Sequence, residues 1–220
     1  MRTEKQYKAV LFDFDYTLGD ATEVIVAGFQ HAFPIMGHPV PERESIRRMV
    51  GYHLLDAYTL LTGDNDPARR MQFQGLFRAV AHPMQVEHTL LFPGTVDLLK
   101  ALHASGVRLG MVSTKNAGVL EAVLTHYGVR SLFSLIVGGD MVAIPKPDPQ
   151  GLNDAIAALG VDKADVLYCG DTVLDAEAAQ RAGVDFAAVL NGTTTADAFP
   201  AFPFVHIAPD LHDLQVWLRL

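Results

Sequence analysis

The sequence has one cysteine, Cys169, in 220 residues. A single thiol cannot close an internal bridge, so a disulfide scaffold is excluded, and the chain must fold on buried apolar surface. No apolar run approaches the roughly 20 residues of a membrane-spanning helix. Positive charge is scarce: Lys plus Arg is 17 against 25 for Asp plus Glu, a net charge of -8. Such a chain lacks the diffuse basic surface that draws nucleic acid, so neither nucleic acid nor a membrane is expected as a partner. Internal repeats and low-complexity tracts are also missing. Half of the residues are hydrophobic and 19% are charged, which excludes intrinsic disorder. Residues 1–8 are polar, and the apolar run behind them, Ala9–Phe12, is too short for a secretory signal core. A cytoplasmic, monomeric or homodimeric protein is expected.

Short apolar runs are present at regular intervals. They lie at 8–13, 107–113, 132–137, 166–170 and 186–190, with a weaker one at 204–207. Helical patterns separate them at 94–105, 117–127, 149–159 and 174–182. Glycines 106, 128, 160 and 183 end these helices, as a left-handed C-terminal residue requires. Strands alternating with helices of 10 to 12 residues imply crossover connections and a parallel sheet. Residues 22–88 break the rhythm and read as three or four helices, with interruptions at 34–41 and 62–67. The expected organisation is therefore α/β: a Rossmann-like parallel sheet core, residues 1–20 and 89–220, with an inserted all-helical domain, residues 21–88. Residues 193–203 read as a loop.

In an open parallel sheet, ligands bind beyond the carboxyl ends of the strands. Behind the first strand stand Asp13, Asp15 and Thr17; behind the second, Ser113, Thr114, Lys115 and Asn116. Behind the third stands Lys146, between two prolines, and behind the fourth, Asp171 and Asp175. Each residue alone has an ordinary structural reading as a helix cap, turn or solvated loop residue. Their joint occurrence, each at a strand end, is what selects a site. Clustered carboxylates repel unless a cation compensates. Oxygen ligands without His or Cys favour a hard ion such as Mg²⁺. Four histidines, His31, His38, His82 and His88, have no ligand-like spacing and read as surface or packing residues. Cys169 reads as a small buried hydrophobe.

Asp13-Phe-Asp15-Tyr-Thr17-Leu resembles the first motif of the haloacid dehalogenase superfamily. Ser113 or Thr114, Lys146, and Gly170-Asp171 followed by Asp175 resemble its second, third and fourth motifs. The helical insert is similar to the cap of the phosphoglycolate phosphatase-like branch. The resemblance implies Asp13 as nucleophile and Asp15 as general acid and base. It implies Ser113 as the phosphoryl ligand in preference to Thr114, and Lys146 as the charge-neutralising cation. Mg²⁺ would be held by Asp13, Asp15 through its carbonyl, and Asp171, with Asp175 in support. Thr17, Thr114 and Asn116 are the remaining core residues expected near substrate. Arg47 and Arg48 of the insert are candidates for the substrate's anionic end, against the plain alternative of two exposed arginines. Tyr16 stands where this branch often has glycine, and its ring must find a place near the hinge.

Asp15 argues against dehalogenation, since a halide needs no proton, and against phosphonate cleavage, where relatives carry a small residue there. The implied activity is a Mg²⁺-dependent phosphatase acting on a small phosphorylated metabolite, with phosphoglycolate as a model. Alternatives are a sugar-phosphate mutase, a pyrophosphatase, or a non-catalytic phosphate- or partner-binding member. The mutase is disfavoured because the insert has no lysine: none lies between Lys8 and Lys100.

Overall fold

The computed structural model of the chain describes residues 5–220; residues 1–4, the start of the polar N-terminal stretch, lie outside it. The chain opens with strand β1 (Ala9–Phe12) and a two-residue strand β2 (Gly19–Asp20). Four helices follow: α1 (Thr22–Ile35), α2 (Arg43–Arg47), α3 (Leu54–Thr62) and α4 (Pro67–His88). The chain returns through β3 (Leu90–Leu91) into α5 (Thr95–Ala104), β4 (Arg108–Val112), α6 (Ala117–His126) and β5 (Phe133–Val137). It continues through α7 (Gln150–Leu159), β6 (Val166–Gly170), α8 (Val173–Ala182), β7 (Asp185–Val189), β8 (His206–Ala208) and α9 (Leu211–Leu218).

Six strands form one sheet in the order β5-β4-β1-β6-β7-β8, and every pairing in it is parallel. The chain builds outward from β1 to one side, then crosses back and builds the other. The strand order thus reverses beside β1, the place where open α/β sheets leave a crevice. Successive β1 side chains alternate between faces. Val10 and Phe12 join the core that also contains Leu98, Leu120 and Trp217 from α5, α6 and α9. Ala9 and Leu11 join the opposite core with Leu152, Ile156 and Ala179 from α7 and α8. Both faces are covered, which is why the strands read as continuous apolar runs rather than alternating ones.

The insert has its own core, centred on Phe29, Phe33, Tyr58, Phe73 and Phe77. Tyr58 stacks on Phe73 with ring centroids 4.8 Å apart, and Phe33 meets Phe73 edge-on at 5.7 Å. His38 is one of the packing histidines: its Nε2 lies 3.0 Å from the Tyr58 hydroxyl. The chain enters and leaves the insert side by side, because β2 pairs antiparallel with β3. Residues 193–203 are not wholly irregular: a 3₁₀ turn over Ala196–Ala201 buries Phe199. Among the described residues, no helix is long and apolar enough to cross a membrane.

Candidate active site

Each strand of the central trio ends in a residue of the site. Asp13 follows β1, and its backbone N–H donates to the Cys169 carbonyl of β6, which fixes the loop against the sheet edge. Its carboxylate is buried, and neither oxygen has a hydrogen-bond partner. Lys146 Nζ lies 3.2 Å from Asp13 Oδ1, an ion pair not aligned as a hydrogen bond. Burial pushes the Asp13 carboxyl up to about 6, the Lys146 ammonium pulls it back down, and the Asp175 charge adds to the rise.

Lys146 is almost wholly buried between Asp13 and Asp175 and donates to the Tyr168 hydroxyl at 3.1 Å. Burial works against its charge, but the two flanking carboxylates outweigh it, so the ammonium is held protonated. Asp175 is fully engaged: Oδ1 accepts from Lys146 and the Tyr168 hydroxyl, and Oδ2 from the Thr172 N–H and hydroxyl. Burial pushes its carboxyl up, yet the Lys146 pair and these hydrogen bonds hold it below the ordinary value. Thr172 and Asp175 together form a reciprocal cap on α8. Gly170 permits this arrangement, because a Cβ there would lie 2.5 Å from the Asp175 side chain.

Asp171 is also buried, and burial with the nearby Asp175 and Asp13 charges drives its carboxyl well above the ordinary range. It accepts weakly from the Thr17 hydroxyl at 3.4 Å. Gly192, from the loop after β7, approaches so closely that a Cβ would sit 2.3 Å from Asp171 Oδ2. One oxygen each from Asp13, Asp171 and Asp175 lie within 4.8 Å of one another. Three buried carboxylates, two with raised pKa and one with neither oxygen in a hydrogen bond, fit a small hard cation, and the cluster offers no imidazole or thiolate for a soft one.

Asp15 faces a different environment. It lines a cleft of about 300 Å³ between the sheet edge and the helical insert. Lys115 Nζ donates to both of its oxygens, at 3.0 and 3.1 Å, from an almost buried position. Ser113 is buried at the end of β4. Thr114 lines the cleft, and its hydroxyl donates to the Gly51 carbonyl of the insert at 3.2 Å. Asn116 also lines the cleft and caps α6 by accepting from the Val119 N–H.

Three expected substrate contacts are placed elsewhere. Thr17 is fully buried beneath the loop and directed at Asp171. Arg47 donates to the Tyr16 hydroxyl at 3.3 Å and pairs with Glu44. Arg48 is exposed, with Glu44 as its partner at 3.5 Å. Neither arginine lines the cleft. The insert instead contributes the inner face of α4: Gln74, Arg78, His82 and Gln85. Their spacing of four, four and three is one helical face. His82, read from sequence as a surface or packing residue, is exposed yet lies on this lining. Lys115 stood in the post-strand cluster but carried no role, because nothing local marks which carboxylate a lysine will reach.

Residues 10–189 match the model of the haloacid dehalogenase-like hydrolase family. A phosphoglycolate phosphatase from Cereibacter sphaeroides is 32% identical over 83% of this chain and 85% of its own. The pyrophosphatase PpaX of Bacillus velezensis is 29% identical over 90% and 91% of the two chains. A haloacid dehalogenase-like hydrolase from Bacteroides fragilis, known as a crystal structure, superimposes with a TM-score of 0.92 at 36% identity. That match covers 95% of this chain and all of the other. The parallel sheet, the carboxylate cluster at its edge and the family match together place this chain in the haloacid dehalogenase-like hydrolase family.

Proposed function

We propose that the chain is a Mg²⁺-dependent phosphatase that hydrolyses a small, phosphoglycolate-like phosphomonoester through an aspartyl-phosphate on Asp13. The observation that carries the reading is the Asp13 carboxylate: buried, without a hydrogen-bond partner on either oxygen, and set beside the Lys146 ammonium. A carboxylate tied into a structural network has its lone pairs engaged, as Asp175 does. One left free beside a fixed cation is poised to attack a phosphoryl group.

In the first half-reaction an Asp13 oxygen bonds to phosphorus, and the bond from phosphorus to the alcohol oxygen breaks. Asp15, at the mouth of the cleft, gives the leaving oxygen its proton. In the second, Asp15 takes a proton from water as the water attacks phosphorus, and the Asp13–phosphate bond breaks. The sum is ester plus water to alcohol plus inorganic phosphate. Lys146 and Ser113 meet the phosphoryl oxygens, and positioned charge supplies most of the rate. Asp13 and Asp171, with the Asp15 carbonyl, would hold Mg²⁺, which when bound would offset their mutual repulsion and that of the phosphoryl group. Asp175 would support them by fixing Lys146.

Lys115 has a place in this cycle. It donates to both Asp15 oxygens and so holds the orientation of that carboxylate.

The test is phosphate release from a panel of phosphomonoesters and pyrophosphate, with Mg²⁺ and with chelator. Expected are metal-dependent release from a phosphomonoester and a loss of about 10³-fold or more in Asp13→Asn, the scale on which a covalent nucleophile matters. Release that persists in Asp13→Asn would remove the proposed nucleophile. Preference for pyrophosphate over every ester would move the chain to the pyrophosphatase alternative.

A further inference from the structure

The cleft beside Asp15 is lined on its helical side by a charge that nothing among the described residues neutralises. Arg78 projects from the inner face of α4 into this cleft, half-buried, with no hydrogen-bond or ion-pair partner among the described residues. The other arginines of the insert are paired: Arg43 with Glu23, Arg47 and Arg48 with Glu44, Arg69 with Asp64 and Arg70 with Asp56. Surface economy therefore does not explain Arg78. Positive charge accumulates around it. The Arg78 charge adds to the burial that lowers the His53 pKa, and Arg78 and Lys115 both add to the burial that lowers His82. Two carboxylates line the cleft: Asp15 is already held by Lys115, and the exposed Asp140 accepts from the Ala117 N–H.

We propose that Arg78 is a specificity-determining residue that binds a second anionic group, a carboxylate or a phosphate, on the alcohol part of the substrate. This assignment rests on the phosphatase reading and deepens it. The transferred phosphoryl group belongs with Asp13, Ser113 and Lys146 at the sheet edge. Arg78 stands on the helical wall of the adjoining cleft, which Asp15 and Thr114, sequence neighbours of Asp13 and Ser113, line from the sheet side, so it would meet the leaving group. A guanidinium there offers a fork of donors matched to a planar carboxylate or a phosphate. The space of about 300 Å³ is the bulk volume of about ten waters, enough for a leaving group of several carbons between the two anions. The apolar lining, Phe29, Met49, Leu54 and Phe77 among it, suits those carbons and lowers the local dielectric, which strengthens the contact.

The experiment compares pairs of esters in which only one member carries a second anionic group. 3-Phosphoglycerate is set against glycerol 3-phosphate for a carboxylate, and glucose 1,6-bisphosphate against glucose 1-phosphate for a phosphate. The readout is the charged-to-uncharged ratio of kcat/KM in each pair. In the wild-type protein at least one pair is expected to favour the charged ester about tenfold or more, and that pair names the anion. Arg78→Gln should collapse that ratio by about tenfold, mainly through KM, and Arg78→Lys should restore most of it. A ratio unchanged by Arg78→Gln, or one that collapses in Arg47→Gln instead, would overturn the assignment. If no ester is turned over, the phosphatase reading fails separately, and equilibrium binding of the same four compounds still decides. A charged-ligand preference lost in Arg78→Gln supports the anion site, and none in the wild-type protein refutes it.

Discussion

Tyr16 shows how one residue ties the catalytic loop to the insert. Its φ is +59°, the left-handed region where a side chain costs about 1 kcal/mol or more. That is the physical reason glycine would be easier here. The ring compensates: it is buried, and its hydroxyl lies 2.7 Å from Thr22 Oγ1 at the start of α1 while accepting from Arg47 of α2. Tyr16→Phe removes both contacts and leaves the Thr22 hydroxyl without its partner. A loss of about 1–2 kcal/mol in urea unfolding is expected. A change below about 0.3 kcal/mol would mean that water replaces the hydroxyl at no cost. The sequence marks Tyr16 as a residue whose ring needs a place, and the ring lies between the loop after β1 and helices α1 and α2 of the insert. It could not place Arg47, because an arginine's reach of several bonds is settled by whichever acceptor the fold brings near, here Tyr16 and Glu44. The same limit hid Lys115 and Arg78. Both depend on which helix or loop face meets the cleft, and local spacing does not encode that.

At the scale of elements, the strand ends carry the information. Strands β1, β4, β5 and β6 lie within one residue of their apolar runs, because both sheet faces are covered and the run must stop where polar loop residues begin. The β2–β3 ribbon, two residues on each side, is too short to show a period, and α9 is a further element beyond the expected ones, capped by Asp210 and burying Leu211, Leu214 and Trp217 on one face. The β6–α8 junction is the element on which the site depends most. Asp175 accepts from Lys146 and Tyr168 with Oδ1 and caps α8 through Thr172 with Oδ2. Asp175→Ala leaves the buried Lys146 with only Asp13 as a counter-charge and removes a reciprocal cap. Breaking a buried pair from one side costs about 3–5 kcal/mol, and a lost cap about 1 kcal/mol. Chemical denaturation should show a fall of about that size, with α8 amides exchanging faster than those of α5. An unchanged unfolding midpoint would mean that Lys146 finds another partner and that Asp175 is not the organising group.

For the whole molecule, the cluster at the sheet edge makes stability depend on pH and cation together. Asp13, with its pKa raised to about 6, binds more protons folded than unfolded at pH between about 4 and 6. Stability of the metal-free protein therefore falls as pH rises through that window, by on the order of 2–3 kcal/mol for this group alone. Asp171, raised well above its ordinary value by burial and by Asp175 and Asp13, extends the decline to higher pH. The protein is acidic overall, so distant charges do not relieve the site. A bound Mg²⁺ would reverse the preference, because it stabilises the ionised carboxylates that burial disfavours. Protons and metal then compete for the same oxygens. Thermal melts with chelator and with saturating Mg²⁺ at pH 5.0 and pH 7.5 read this directly. Mg²⁺ is expected to raise Tm by several degrees at pH 7.5 and by much less at pH 5.0. In Asp171→Asn the Mg²⁺ shift should largely vanish, while the chelator-treated variant melts no lower than the wild type at pH 7.5, since it has lost a repelling charge rather than a stabilising one. An equal Mg²⁺ shift at both pH values would show that the cation binds at groups other than these buried carboxylates.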